Sequence, residues 1–149
     1  MIQSTNPLWI REIEGYHSAL LTPLNKLLCQ LDPEALPLTK EKLKDIIADP
    51  NTHLLLAYWG KQIVGMTLRI MITTLSLSKA QIEDVVADSD YRRLRIGETL
   101  TAQAIKIAVR RQAQLIDLTS NPSRPAAHRL YEKFGFKRRD TNVFRLTLS

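Results

Sequence analysis

Residues 82–108 read IEDVVADSDYRRLRIGETLTAQAIKIA, and this run joins an apolar segment, a basic turn and a periodic segment. Ile82, Val85 and Val86 are β-branched, as is typical of a strand. After Gly97, apolar residues recur at the spacing of three and four that marks one face of a helix. Three arginines occupy the turn before that helix. A strand that leads through a turn into a helix predicts an α/β fold.

The basic turn, residues 91–97, is suited to bind an anion. The first N–H groups of a helix lack intrahelical partners, and the helix dipole adds about +0.5 charge there. Arginine side chains add charge-assisted contacts to phosphate. The turn lacks the Gly-Lys-Ser/Thr ending of a Walker loop and the three glycines of a dinucleotide fingerprint. The pattern therefore indicates a phosphate site, with a solvated basic face as the alternative.

Outside this run, periodicity and turn residues predict the other elements. In chain order these are an extended segment at 8–17, helices at 18–31 and 40–50, strands at 53–59, 62–75 and 80–88, a helix at 97–111, a strand at 114–120, a helix at 124–134 and a closing strand at 142–149. Thr22, Thr39 and Ser123 are predicted as N-caps, and Gly135 as a left-handed residue after the last helix. Cys29 falls on a leucine-rich helix, which predicts a buried, inert thiol.

Length and composition bound the class of protein. A chain of 149 residues, 44% hydrophobic and 24% charged, predicts a single globular domain over residues 1–149. Residues 1–90 hold 8 Lys and Arg against 11 Asp and Glu, whereas residues 91–149 hold 13 against 4. The second part therefore favours an anionic partner. We see no export signal and no apolar run long enough to span a membrane, so a cytoplasmic location is expected.

Two segments resemble the GNAT superfamily of acetyl-CoA-dependent N-acetyltransferases. The family's loop reads Gln or Arg, two residues, Gly, one residue, then Gly or Ala; here Arg92 and Gly97 match, and Arg95 replaces the first glycine. LTSNPSRPAAHRLYEKFGF, residues 118–136, is similar to the family's closing strand–helix segment, which ends in Tyr-Glu-Lys, one apolar residue and Gly-Phe. The resemblance implies a GNAT-like α/β fold: a central mixed, mostly antiparallel sheet with a splayed parallel pair, flanked by helices.

The resemblance also implies a function. The chain would move an acetyl group from acetyl-CoA to a small-molecule or peptide amine by direct attack, with no metal, and a homodimer is possible. A catalytically weak module that binds or senses acyl-CoA is the alternative, and Arg95 favours it. A nucleic-acid binder is disfavoured because aromatic residues are only 6% of the chain and no stacking platform is evident. Membrane binding is not expected.

The resemblance assigns coenzyme contacts and two catalytic roles. Backbone groups of the strand end and the loop, with one amide side chain, would hold the coenzyme: Val85, Val86, Ala87, Arg92, Arg93, Leu94, Arg95, Ile96, Gly97, Glu98, Asn121 and Tyr131. Tyr131 matches the general acid, since a phenol with a pKa of about 10 can protonate a departing thiolate; its helical face also allows a core role. Glu83 is expected as the general base, with Asp84 as the fallback, and alternation would place Glu83 with Val85 on one face.

Overall fold

A computed structural model describes residues 7–149. The described chain contains nine regular elements: β1 (Leu8–Glu12), α1 (Leu21–Leu31), α2 (Lys40–Ala48), β2 (Thr52–Trp59), β3 (Gln62–Thr73), β4 (Ser78–Ala87), α3 (Ile96–Arg110), β5 (Leu115–Leu118) and α4 (Pro125–Lys133). Short 3-10 helices cover Ser18–Leu20 and Ser89–Tyr91. The predicted order is confirmed as far as α4. The chain forms two compact units, Met1–Thr119 and Ser120–Ser149, and all five strands belong to the first.

The sheet is mixed and mostly antiparallel, as predicted. Its strands follow the order β1-β2-β3-β4-β5. The first four pair antiparallel, and β5 pairs parallel to β4. The parallel register runs only from Lys79–Leu115 to Ile82–Leu118. Beyond Ile82, β3 is the one described strand that still pairs with β4. The last five residues of β4 therefore have no pairing with β5 along their other edge.

A β-bulge interrupts β4 where β5 leaves it. Met66 lies opposite Val86, but Leu68 lies opposite Glu83, so one residue of β3 faces two residues of β4. The buried Thr67 hydroxyl donates to the Glu83 carbonyl at 2.9 Å, which holds the bulge in place. The expected alternation is therefore wrong: the extra residue puts Glu83 and Val86 on the same face, beside Leu68 and Met66.

Helices pack on both faces of the sheet. On one face, α1 and α2 enclose an apolar core: Leu20, Leu24, Leu27, Leu43, Leu54, Leu56, Met66 and Val86. On the other, α3 approaches β3 so closely that a Cβ added to Gly65 would lie 2.6 Å from the Ile96 Cγ2 atom. Ile96 is the first residue of α3, so the side-chain-free position on β3 fixes where this helix begins.

One face of β3 also carries a charge in the interior. Arg69 is fully buried, and among the described residues its guanidinium nitrogens have no hydrogen-bond partner. Burial lowers its pKa and the nearby charge of Arg111 acts in the same direction, while Glu12 opposes them. The Glu12 carboxylate itself contacts the imidazole of the neighbouring His53. Such an unpaired buried cation costs stability.

The helix ends agree with the predictions at two positions. Thr39 caps α2, because its hydroxyl accepts a hydrogen bond from the Lys42 N–H at 3.1 Å. Gly135 follows α4 with φ +94°, and the Phe136 N–H donates to the Tyr131 carbonyl at 3.0 Å. The latter bond closes a Schellman-type end, which needs a left-handed residue at that place.

The other two predicted caps are wrong. Instead of a helix capped by Thr22, α1 begins at Leu21 as a continuation of the preceding 3-10 helix, which His17 caps. At α4, Ser123 gives its N–H to the Asn121 side-chain oxygen at 2.9 Å, and the helix begins after Arg124. Neither α1 nor α4 has a side-chain hydrogen bond at its own N-cap.

The predictions of a closing strand and of a buried thiol are also wrong. Residues 142–149 form no regular element in the described structure, and Val143, Phe144, Leu146 and Leu148 are exposed. Alternation predicts which side chains share a face but supplies no strand to pair with. Cys29 is exposed because it follows the buried Leu27 by two residues, about 200° around α1.

Candidate active site

The basic turn adopts an unusual backbone between β4 and α3. Arg93 and Arg95 both have left-handed φ values, +66° and +58°, although neither is glycine. Arg92, Arg93 and Arg95 are exposed. The helix starts directly after Arg95, whose carbonyl accepts the Thr99 N–H at 2.9 Å. The amides before Thr99 therefore point out of the N-terminal end of α3, and the three exposed arginines precede them in the sequence.

Glu98 and Leu94 complete this segment. The Glu98 carboxylate lies 3.9 Å from the Arg95 Nε atom, and the Arg95 side chain is 79% exposed. An exposed pair of this kind stabilises a fold by at most about 1 kcal/mol, so the guanidinium keeps its freedom to reach a ligand. Leu94 is half-buried and anchors the turn between the arginines.

The predicted pantetheine contacts lie where β4 has lost its parallel neighbour. Val85, Val86 and Ala87 follow Ile82, the last residue of β4 that pairs with β5. A strand edge presents N–H and C=O groups in a row. The amides of a pantetheine arm are suited to pair with them. The strand edge that β5 leaves and the basic turn are consecutive in the chain, an arrangement suited to a long ligand with a diphosphate at one end.

Glu83 and Asp84 lie at the bulge, in different environments. The Gln81 side-chain amide donates to the Glu83 carboxylate at 3.1 Å, on the face shared with α1 and α2. Asp84 has φ +55°, and its side chain reaches solvent. Desolvation by the surrounding protein nevertheless raises the pKa of Asp84, while the charge of Lys42 acts in the opposite direction. Either carboxylate is chemically able to accept a proton.

The remaining predicted residues belong to the second unit. Tyr131 is buried on α4 and stacks edge-to-face with Phe136, with 5.9 Å between ring centroids. Burial raises the pKa of Tyr131, against an opposing effect of the Arg124 charge. The side chain therefore stays a phenol at neutral pH and can donate a proton. Asn121 is exposed, and its side-chain oxygen is bonded to the Ser123 N–H.

Three residues that contact one another beside the predicted site were not singled out from the sequence. Lys26 and Gln30 of α1 contact the buried Asp88, which begins the turn after β4. The motif Asp88-Ser89-Asp90 is a recognisable capping signature. Its partners are not recognisable, because Gln30 is 58 residues away in the sequence.

A groove of about 1140 Å³ opens on another part of the first unit. It lies between the end of β1, the start of α1, the β2–β3 turn and residues 88–91, and none of the predicted site residues lines it. Its charged lining residues balance in sign: Arg11, Lys26, Lys61, Glu14, Asp88 and Asp90. Size alone does not make this groove the reaction site, since the amides predicted to bind the anion lie in the neighbouring turn.

The described helices include none that is long and apolar enough to cross a bilayer. The described His, Cys, Asp and Glu side chains form no group of three or more that is suited to a metal ion.

Comparison with known proteins gives consistent matches. The profile of the Acetyltransferase (GNAT) family matches residues 21–136. A curated relative, the aminoalkylphosphonate N-acetyltransferase of Salmonella typhimurium, is 33% identical over 93 residues, which are 61% of this chain and 60% of that protein. The match thus spans less than two thirds of the relative's length.

Solved structures share the fold over nearly the whole chain. A protein of Bacillus halodurans, described as a transcriptional regulator, is 29% identical with a TM-score of 0.80, covering 95% of this chain and 99% of its own. A putative acetyltransferase from Agrobacterium tumefaciens is 23% identical with a TM-score of 0.80, covering 94% and 99%. An aminoglycoside N-acetyltransferase in complex with CoA is 12% identical with a TM-score of 0.78, covering 99% of both chains.

Proposed function

The chain belongs to the acetyltransferase (GNAT) family, and on that basis we propose that it transfers the acetyl group of acetyl-CoA to an amine by direct attack. One observation carries the proposal: the bare end of β4 runs directly into an arginine-rich turn with a helix N-terminus behind it. The family match crosses the boundary after residue 119, which supports treating residues 1–149 as one acetyltransferase domain.

In this proposal the first unit supplies most of the coenzyme contacts. Backbone groups of Val85–Ala87 pair with the pantetheine arm, and the amides at the start of α3 hold the pyrophosphate. Arg92, Arg93 and Arg95 add charge-assisted contacts. Asn121 contributes an amide contact to the arm. The structure of a CoA complex with the same fold supports the choice of ligand.

Two groups handle the protons of the reaction. Acetyl-CoA supplies an activated thioester, and the attacking nitrogen must be a neutral amine. We assign Glu83 as the group that accepts the amine proton, directly or through water, with Asp84 as the alternative. We assign Tyr131 as the donor to the leaving sulfur, because burial keeps its phenol protonated.

The acceptor is a cationic or zwitterionic amine in this proposal. Glu83 and Asp84 place two carboxylates on the segment that would meet the acceptor, and residues 1–90 carry more acidic than basic groups. The curated relative is named for aminoalkylphosphonates, and two solved neighbours are aminoglycoside acetyltransferases. Both compound classes, with peptide N-termini and lysine peptides, form the first screen.

The direct test has a binding arm and a turnover arm. Calorimetry with CoA should detect a one-to-one complex, and thiol release from acetyl-CoA should depend on an amine from the panel. Mass spectrometry of the product should find one added acetyl group. The absence of binding at millimolar CoA would rule out the enzyme and the sensing module together.

Tyr131→Phe tests the proton donor. We expect kcat to fall about 10²-fold or more, because the thiolate would leave without general-acid assistance. The dissociation constant of CoA should change less than about twofold, since the ring stays in place. Steady-state kinetics and calorimetry measure the two quantities. An unaltered kcat would remove Tyr131 from the mechanism and leave it as a core residue.

A module that binds acyl-CoA without turnover is the second candidate. The left-handed Arg95 favours it, because a bulky side chain stands where the family has glycine. Binding of CoA by calorimetry, together with no acetylated product across the panel, would select this candidate over the enzyme.

A further inference from the structure

One helix holds the turn that precedes the predicted pyrophosphate site. Asp88 is 3% exposed, and its carboxylate accepts from the Gln30 amide at 3.2 Å and from the Lys26 ammonium at 3.1 Å. The Gln30 side-chain oxygen accepts the Ser89 N–H at 2.9 Å. Lys26 also reaches the Asp90 carboxylate at 3.5 Å. We call Lys26, Gln30 and Asp88 the α1 clamp.

The contacts within the clamp favour the charged forms of both Asp88 and Lys26. Burial alone would raise the pKa of Asp88, but hydrogen bonds from the Asp90 N–H, Lys26 and Gln30, with the charge of Lys26, leave that pKa below its ordinary value. The hydrogen bond to Asp88 and its charge, followed by those of Asp90, raise the pKa of Lys26. Asp88 is therefore a carboxylate and Lys26 a cation at any pH at which the protein would be assayed.

The turn beyond the clamp needs support at both ends. Arg93 and Arg95 have left-handed backbones, a conformation that non-glycine residues keep only when the surrounding structure holds them there. At the far end, Ile96 is packed against Gly65 as the first residue of α3. At the near end, the Asp88 N–H is bonded to the Val64 carbonyl at 2.7 Å, and the Tyr91 N–H to the Asp88 carbonyl at 3.0 Å. The α1 clamp adds side-chain support at this end, next to the hydrogen bond that the Tyr91 hydroxyl donates to the Gln62 side-chain oxygen.

We propose that Lys26 and Gln30 of α1, acting through Asp88, are positioning residues for the coenzyme: they fix the turn Arg92–Arg95 in the conformation that binds the pyrophosphate. This inference rests on the proposed function. In this proposal the clamp residues act through the turn and not on the reacting atoms, so their loss lowers coenzyme affinity rather than the rate of the chemical step. When the turn is released, its amides must be reordered by the ligand, and that ordering weakens binding.

Gln30→Ala and Lys26→Met separate the two contacts. Gln30 and Lys26 are both exposed on α1, so neither variant opens a cavity. We expect each to raise the CoA dissociation constant and the KM for acetyl-CoA about 5- to 10-fold, with kcat within about twofold. Lys26→Arg keeps the cation beside Asp88 and should restore most of the affinity. Calorimetry and steady-state kinetics on the full chain supply these values.

The matched control is Lys61→Met. Lys61 is another exposed lysine of the same groove, and it makes no contact with the clamp. It should leave CoA affinity unchanged, which distinguishes loss of the clamp from general loss of positive charge. Thermal unfolding of each variant, with and without CoA, checks that the effect is on the ligand complex.

The possible outcomes test the positioning role of the clamp and the proposed function separately. If the parent protein binds CoA and the Gln30→Ala and Lys26→Met variants bind it equally well, the clamp has no positioning role, while the proposed function stands. A lower kcat together with a lower unfolding temperature, and no selective change in KM, would also overturn the inference. The clamp would then be a purely structural contact. If the parent protein fails to bind CoA, the proposed function is the part that fails.

Discussion

Arg95 takes a backbone conformation that glycine adopts with less strain. Its φ of +58° costs on the order of 1 kcal/mol for a residue with a Cβ. The replacement of a family glycine was visible in the sequence, and Arg95 has a positive φ in the structure. What the sequence could not show is that Arg93 is left-handed as well, because nothing in its identity requires that conformation.

Arg95→Gly separates backbone from side chain. The variant relieves the strained φ but removes a guanidinium, so we expect CoA to bind about 3- to 10-fold more weakly at low salt. The difference should shrink at high salt, where screening weakens the lost contact. Calorimetry at two salt concentrations measures it. Tighter binding by the variant would mean that the arginine side chain obstructs the turn.

Asp84→Asn tests the cost of a desolvated carboxylate. Because the pKa of Asp84 is raised in the folded state, that state binds more protons than the unfolded chain. The parent protein therefore loses stability as the pH rises from the ordinary pKa of aspartate through the raised pKa of Asp84. The variant should therefore have the larger free energy of unfolding at pH 7. Its advantage should vanish below about pH 4, the ordinary range for aspartate. Urea titrations across this pH range provide the measurement; an advantage that is constant with pH would assign the effect to the backbone.

At the scale of elements, the sequence predicted the strands and helix ends that depend on residues close together in the chain. Apolar periodicity located β4 and α3, and Thr39 and Gly135 marked helix ends correctly. The bulge was missed because it depends on Thr67, a residue of the neighbouring strand. The end of the β4–β5 pairing was expected only from the family resemblance, since a strand's own sequence does not record where its partner stops.

Gly65→Ala tests how β3 places α3. The new Cβ would meet the Ile96 Cγ2 atom at 2.6 Å and the Val86 carbonyl at 3.1 Å, so Ile96 must move. We expect the free energy of unfolding to fall by about 1–3 kcal/mol, as for other overpacked sites. CoA affinity should fall too, because the helix start moves. Denaturant titration and calorimetry give the two values.

Gly15→Ala is the control for that variant. A Cβ at Gly15 would have nothing within 4 Å, so stability and CoA affinity should both stay at the parent values. Normal CoA affinity in Gly65→Ala would show that the turn tolerates a shift of the helix start.

At the scale of the whole molecule, charge and apolar surface are unevenly distributed. Residues 91–149 hold 13 basic against 4 acidic residues, whereas residues 1–90 are net acidic. The basic part contains the arginine turn, which agrees with an anionic coenzyme as its partner. The same part ends in a segment whose apolar side chains are exposed, with Phe144 at 90% and Leu146 at 84%. Composition predicted the charge separation but not this exposure.

Deletion of residues 141–149 tests that segment. Exposed side chains outside special contacts change stability by about 0.5 kcal/mol or less, so the unfolding temperature should stay within a few degrees. Self-association should decrease, because exposed apolar surface promotes it. Thermal unfolding and sedimentation velocity supply the two readings. A large cooperative drop in unfolding temperature would show that the segment packs in solution.

The lone thiol of the chain, Cys29, stands on the solvent side of α1 between Lys26 and Gln30. A maleimide dye or a nitroxide spin label would therefore attach at a single place, without any engineered cysteine. Its fluorescence or its spectral linewidth would follow the neighbouring turn in real time as coenzyme is added, so the unmodified sequence already carries its own attachment point for an optical or magnetic reporter.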